Sequence, residues 1–216
     1  MNFSQALNYI EKNPSNFDKV LKKFKKDKNF ILNIVKKNGY LIENVGSTFR
    51  GDKEIALEAV KQNGYAINYI SDELKKDKDV VIEAINQNGY ALQYVHENFK
   101  KNREVVMIAV KKYCFSLEFA DKKIKDDEEV VIEAIKQYGY ALKYASQRLK
   151  KKKNLVLKAL KKNVFSLMYA NDCLKNDKKF IISAIKKCDW GTFLEFVSDD
   201  LKKDRDVVLE AVKQWG

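Results

Sequence analysis

The stretch Asp77–Lys101, DKDVVIEAINQNGYALQYVHENFKK, decides the fold, because versions of it recur along the whole chain. Its first residue has counterparts every 25 residues at Asp27, Asp52, Asn102, Asp127, Lys152 and Asp177, and Asp204 follows after 27. Gly39, Gly64, Gly89 and Gly139 keep the same step, as do Phe24, Phe49, Leu74, Phe99, Ile124, Leu149 and Leu174. A fixed period of this length marks a stacked repeat array, in which each unit buries its apolar face against its neighbours. Function in such an array lies on an extended surface.

Each repeat is numbered here from position 0 at its Asp. Positions 3, 4, 5, 7 and 8 are apolar, as in Val80, Val81, Ile82, Ala84, Ile85 and again in Val130, Val131, Ile132, Ala134, Ile135. On a helix these five positions cover an arc of roughly 200°. The pattern predicts a first helix, A, buried on two sides. Position 0 supplies an N-cap. Acidic residues such as Glu128 and Glu129 fill the first turn and lysines such as Lys111 and Lys112 the last, which suits the helix dipole. The glycine at position 12 predicts a left-handed stop. A second helix, B, follows, with apolar positions 13, 15, 17, 18 and 22 and a small residue at 14 (Ala66, Ala91, Ser116, Ala141, Ser166). Helices of about ten residues, roughly 15 Å long, are marginal alone and need the layers on either side.

Counting outward gives eight full repeats over residues 2–203, with Pro14 in the first glycine slot and two extra residues around Gly191 and Thr192 in the last. A single helix A then occupies 204–216. The expected architecture is one all-α domain, 1–216, an α-solenoid of short helical hairpins with about 17 helices. Gly89-YAL and Gly139-YAL alternate with Cys114-FSL and Val164-FSL, a 50-residue super-repeat. A valine is awkward in a left-handed turn, so at Val164 the turn either closes differently or is strained.

The consensus carried by Asp77-KDVVIEAINQNGYALQYV and Asp127-EEVVIEAIKQYGYALKYA resembles the helical repeat family called domain of unknown function 4116. The resemblance covers nearly the whole chain. Lys152 in the Asp slot, and Cys114, Val164 and Asp189 in the Gly slot, depart from it. It implies a helical array with a unit of about 50 residues and transfers no active site.

Composition narrows the rest. A chain that is 45% hydrophobic and 33% charged folds rather than staying disordered. No run approaches the roughly 18 apolar residues that a membrane span needs. The start, MNFSQALNYIEKNPS, lacks the pattern of a secretory signal. Cys114, Cys173 and Cys188 are odd in number and out of register with one another, so a reducing, cytoplasmic setting is the simpler expectation. The net charge of +12 favours anionic partners, the alternative being a lysine-rich solvated surface.

No residue set points to catalysis, a cofactor or a metal. His96 is the lone histidine, no Cys or His stands at ligand spacing, and there is no phosphate loop, dinucleotide motif or serine elbow. The recurring Glu58, Glu83, Glu133 and Glu210 follow the repeat and belong to a helix surface. A non-enzymatic scaffold is therefore expected.

Two rows are candidates for binding. Position 23 is basic in all eight full repeats: Lys25, Arg50, Lys75, Lys100, Lys125, Lys150, Lys175 and Lys202. Position 1 adds Lys28, Lys53, Lys78, Arg103, Lys153, Lys178 and Arg205, so that a basic ridge able to follow a phosphate backbone is expected. The alternative is solvated turn residues. Position 13 (Tyr40, Tyr65, Tyr90, Phe115, Tyr140, Phe165, Trp190) and position 17 (Tyr69, Tyr94, Phe119, Tyr144, Tyr169, Phe196) form the second row, for which a packed aromatic ladder is expected over a base-stacking platform. The leading partner class is a protein or peptide, met at the variable positions 16 and 20; RNA or DNA along the ridge is the runner-up. The terminal helix keeps the full apolar arc, which points to end-to-end self-association through Val208, Val212 and Trp215.

Overall fold

The structure, a computed structural model, describes residues 3–12, 17–188 and 191–213. The protein is an all-α repeat solenoid, with no strand among the described residues. It forms two compact lobes, residues 1–100 and 101–216, and the division falls between two 50-residue pairs of repeats.

Helix A recurs as Lys28–Lys37, Lys53–Gln62, Lys78–Gln87, Arg103–Lys112, Glu128–Gln137, Lys153–Lys162, Lys178–Lys187 and Arg205–Lys213. The cap is as expected: the Asp52, Asp77 and Asp127 carboxylates each accept the N–H groups of the second and third residues that follow. The buried set is a quartet rather than five. Val130, Val131, Ala134 and Ile135 are fully or almost fully buried, whereas Ile132 at position 5 lies at the margin. Each aliphatic side chain so buried contributes about 1.5–3 kcal/mol of transfer free energy, which is why ten-residue helices persist here.

The second arm differs from a continuous helix B. It opens as a 3-10 helix, such as Gly64–Asn68 or Gly139–Tyr144, and ends in a separate short turn, such as Leu74–Lys76 or Leu149–Lys151. The residue at position 11 explains the change of path. Asn63 is extended (φ −148°, ψ 109°); its N–H bonds the Ala59 carbonyl and closes helix A, and its side chain accepts the Tyr65 N–H and opens the 3-10 turn. One residue thus caps two helices.

The glycine at position 12 has a different role from the one expected. No described residue has positive φ. A Cβ on Gly39, Gly64 or Gly139 would stand 2.1, 2.5 or 2.2 Å from the carbonyl oxygen of Ala59, Ala84 or Ala159 in the next helix A. The glycine is there for close approach between layers, and the small alanine at position 7 is its counterpart. Val164 and Cys114 are therefore unstrained: Asn163 before Val164 has the same extended backbone (φ −161°, ψ 116°). Cys114 keeps the inter-layer bond, its N–H donating to Gln137 Oε1 at 3.1 Å against 2.6 Å for Gly39 to Gln62 and Gly64 to Gln87.

Candidate binding surface

The position-23 side chains sit at the joints between layers. Their carbonyls accept from position 19 of the next repeat: Arg50 O from Ser71 and Lys75 O from His96 in the first lobe, Lys125 O from Ser146, Lys150 O from Asn171 and Lys175 O from Ser198 in the second. Lys25 and Lys202 are exposed, whereas Arg50, Lys75, Lys100, Lys125, Lys150 and Lys175 are half-buried. Lys75, Lys100, Lys175 and Lys202 are each bonded to a carboxylate one turn back, on Asp72, Glu97, Asp172 and Asp199. Burial holds the Lys125 and Lys150 ammonium groups below the usual lysine range. The row is present, with most of its charge neutralised or drawn inward.

Five of the seven position-1 cations are committed to structure as well. Lys28 bridges Asp52 and Glu54, Lys53 bridges Asp77 and Asp79, Arg103 bridges Asp127 and Glu129, Lys153 reaches Asp177, and Lys178 bridges Asp204 and Asp206. Each cation thus joins the N-terminus of its own helix A to the cap of the next. The hydrogen bond from the lysine holds the Asp77, Asp177 and Asp204 carboxyls below the ordinary range. One joint is inverted: Lys152 stands in the cap slot, makes no cap bond, and pairs with Glu128, which stands in the lysine slot. The departure of Lys152 from the repeat is thus matched by a second one.

His96 also has a structural task. Its Nδ1 accepts the Asn98 N–H at 3.3 Å, the capping bond that Asp121 and Asn171 make at the same position of their repeats. The groove beside it, about 480 Å³, holds Lys75, Lys76 and Lys100 together with Asp72 and Glu97 and so carries little net charge. Cys114 and Cys188 are buried, and burial raises the Cys114 thiol pKa. Among the described residues no three His, Cys, Asp or Glu side chains are grouped as metal ligands, and no helix is long and apolar enough to cross a membrane.

The aromatic rows do form a ladder, at the surface rather than in the core. Position 13 of one repeat meets position 17 of the next edge-to-face: Tyr40 with Tyr69 (5.2 Å, hydroxyls 2.7 Å apart), Phe115 with Tyr144 (6.2 Å), Tyr140 with Tyr169 (4.6 Å) and Phe165 with Phe196 (5.5 Å). The rings stay half-exposed, Tyr40 at 44% and Phe165 at 47%. Trp190 lies outside the described residues. In the second lobe the face is wider. Tyr113 and Tyr138 replace the position-11 asparagine and add rings against Phe115, Tyr138 also stacks on Tyr140, and Lys143 lies over Tyr140 and Tyr144. Sequence reasoning missed these two tyrosines because position 11 reads as a turn.

Position 16 lies among these rings and is exposed in all six described repeats where it is assigned: Glu43, Asn68, Gln93, Glu118, Lys143 and Met168. In the terminal helix Val207 and Ala211 are buried, Val208 is half-buried and Val212 is 60% exposed. Trp215 lies outside the described residues.

The charge distribution was also readable and missed. Between Glu133 and Asp172 the chain carries ten Lys or Arg and no carboxylate, close to the whole net charge of +12. Period-by-period reading averages that difference away.

The family model described as domain of unknown function (DUF4116) matches residues 2–50, 52–100, 102–150, 152–190 and 183–216. Its first three matches have the length of two repeats, in agreement with the 50-residue alternation. No curated protein and no solved structure matches the chain.

Proposed function

The chain belongs to the DUF4116 family of helical repeats, and on this scaffold we propose a non-enzymatic role: binding a protein or peptide along the face built by the 3-10 arms. One observation carries the reading. Position 16 is exposed in the six repeats where it is assigned and varies among acidic (Glu43, Glu118), amide (Asn68, Gln93), basic (Lys143) and apolar (Met168) side chains, while the half-exposed rings beside it recur. A constant aromatic framework supplies contact area, and changing side chains between the rings supply discrimination. Aromatic residues and methionine are the types enriched in protein interfaces, and Tyr113, Tyr138, Phe165 and Met168 are all about two-fifths to one-half exposed.

The test is capture of partners from the native source, with and without nuclease, using the wild type and a Tyr138→Ser, Phe165→Ser, Met168→Glu variant. A protein retained after nuclease and lost with the variant supports the reading. A partner that disappears with nuclease, or stays with the variant, rejects it. Nucleic-acid binding along position 23 has weaker support, because those ammonium groups are largely paired or half-buried.

A further inference from the structure

Helices Lys153–Lys162 and Lys178–Lys187 are successive A helices that both contain no carboxylate, and the consequence is local. At position 6 other repeats carry Glu58, Glu133 or Glu210, which pair with Lys61, Lys136 or Lys213 one turn on. Here position 6 is Lys158, and the next helix A has Ser183. Lys161 therefore lacks both the carboxylate of its own helix and the one in the following layer. Lys158, Lys161 and Lys187, with Asn154 and Leu157, line a shallow cleft of about 320 Å³ formed by helix A side chains alone. All three lysines are exposed. Three lysines thus line one concavity with no carboxylate among its lining residues.

We propose that this cleft is a nucleic-acid contact, in which Lys158, Lys161 and Lys187 engage phosphates of an RNA or DNA backbone. Lysine serves phosphate recognition as a strong point charge. Lysine is depleted in protein–protein interfaces, whereas nucleic-acid interfaces are far more positive, so the lining favours a phosphate backbone over an acidic protein. Asn154 offers an amide for a sugar hydroxyl or phosphate oxygen, and no aromatic ring lines the cleft to stack a base. Binding here is electrostatic and blind to sequence. It stands apart from the protein-binding reading, which rests on the 3-10 face.

The experiment uses the full chain and a labelled 20-nucleotide single-stranded RNA, followed by fluorescence anisotropy. Three phosphate contacts to a single strand predict a fall in affinity of about twentyfold between roughly 50 and 200 mM salt. The variant Lys158→Glu, Lys161→Glu, Lys187→Glu is expected to lose at least tenfold at the lower salt and most of the salt dependence. Lys158→Gln, Lys161→Gln, Lys187→Gln guards against an effect of misfolding and is expected to show the same loss of slope with an unchanged melt. A control of equal charge change, Lys111→Glu, Lys112→Glu, Lys123→Glu, uses exposed lysines elsewhere in the same lobe and is expected to stay within threefold of wild type. Undetectable binding at the lower salt overturns the proposal. So does an equal loss in the control, which would mean net charge alone, or equal competition by a polyglutamate of matched charge, which would mean an acidic-protein site.

Discussion

Helices Glu128–Gln137 and Lys153–Lys162 are successive copies of one element, and they share almost nothing on the surface. The first has an Asp cap, two glutamates in its first turn, Glu133 at position 6, and Gln137, which accepts the Cys114 N–H and donates to the Val110 carbonyl. The second has a lysine in the cap slot with no cap bond, lysine at positions 6 and 10, and no carboxylate. Yet both bury the same quartet, Val130, Val131, Ala134, Ile135 in one and Leu155, Val156, Ala159, Leu160 in the other, and both run ten residues. The quartet is sufficient to place the helix. Caps, ion pairs and clamps tune it and are free to change, provided that they change with their partners.

The comparison breaks most sharply through what the two helices share. Ala134→Asp and Ala159→Asp each bury an unpaired carboxylate, with an expected loss of about 3–5 kcal/mol in either helix. Urea unfolding measures it. A loss in one helix only would mean that the quartets are not equivalent.

The glycine slots give the next largest effect. Gly139→Val sets a Cβ 2.2 Å from the Ala159 carbonyl oxygen, and overpacking of this kind costs about 1–3 kcal/mol. Cys114→Val, in the slot that already accepts a side chain, is expected to cost less than about 1.5 kcal/mol. Equal melting shifts would remove close approach as the reason for glycine.

The inverted joint offers a gain. Lys152→Asp with Glu128→Lys restores both cap and bridge, and a recovered N-cap is worth about 1 kcal/mol. Lys152→Asp alone places two carboxylates at one joint and is expected to gain less. A double-mutant cycle on chemical unfolding reads the coupling between the two sites.

Acid sensitivity is the smallest effect. The lysine bond lowers the folded pKa of Asp177. Its stabilising contribution is therefore present above the ordinary carboxylate pKa of about 4 and is lost as pH falls through the depressed value. Lys153→Gln is expected to remove part of that acid-dependent loss, and Lys158→Gln, which has no carboxylate partner, to leave the profile unchanged. Melting temperatures between pH 3 and 6 distinguish them.

Periodicity alone determined the repeat, its register, the caps at positions such as Asp77 and the five-position apolar arc from which the structure buries four, because each depends on spacing within ten residues and every copy restates it. The family followed from the same residues. Tertiary structure decided the rest. Whether Lys53 is a free charge depends on Asp77, 24 residues on, and whether Gly139 is a turn or a contact depends on the Ala159 carbonyl. The 3-10 path of the second arm depends on a double cap at position 11, and the exposure of the aromatic ladder follows from that path. These are relations between layers: a repeat read by itself contains both partners of every joint and does not say which neighbour each one meets.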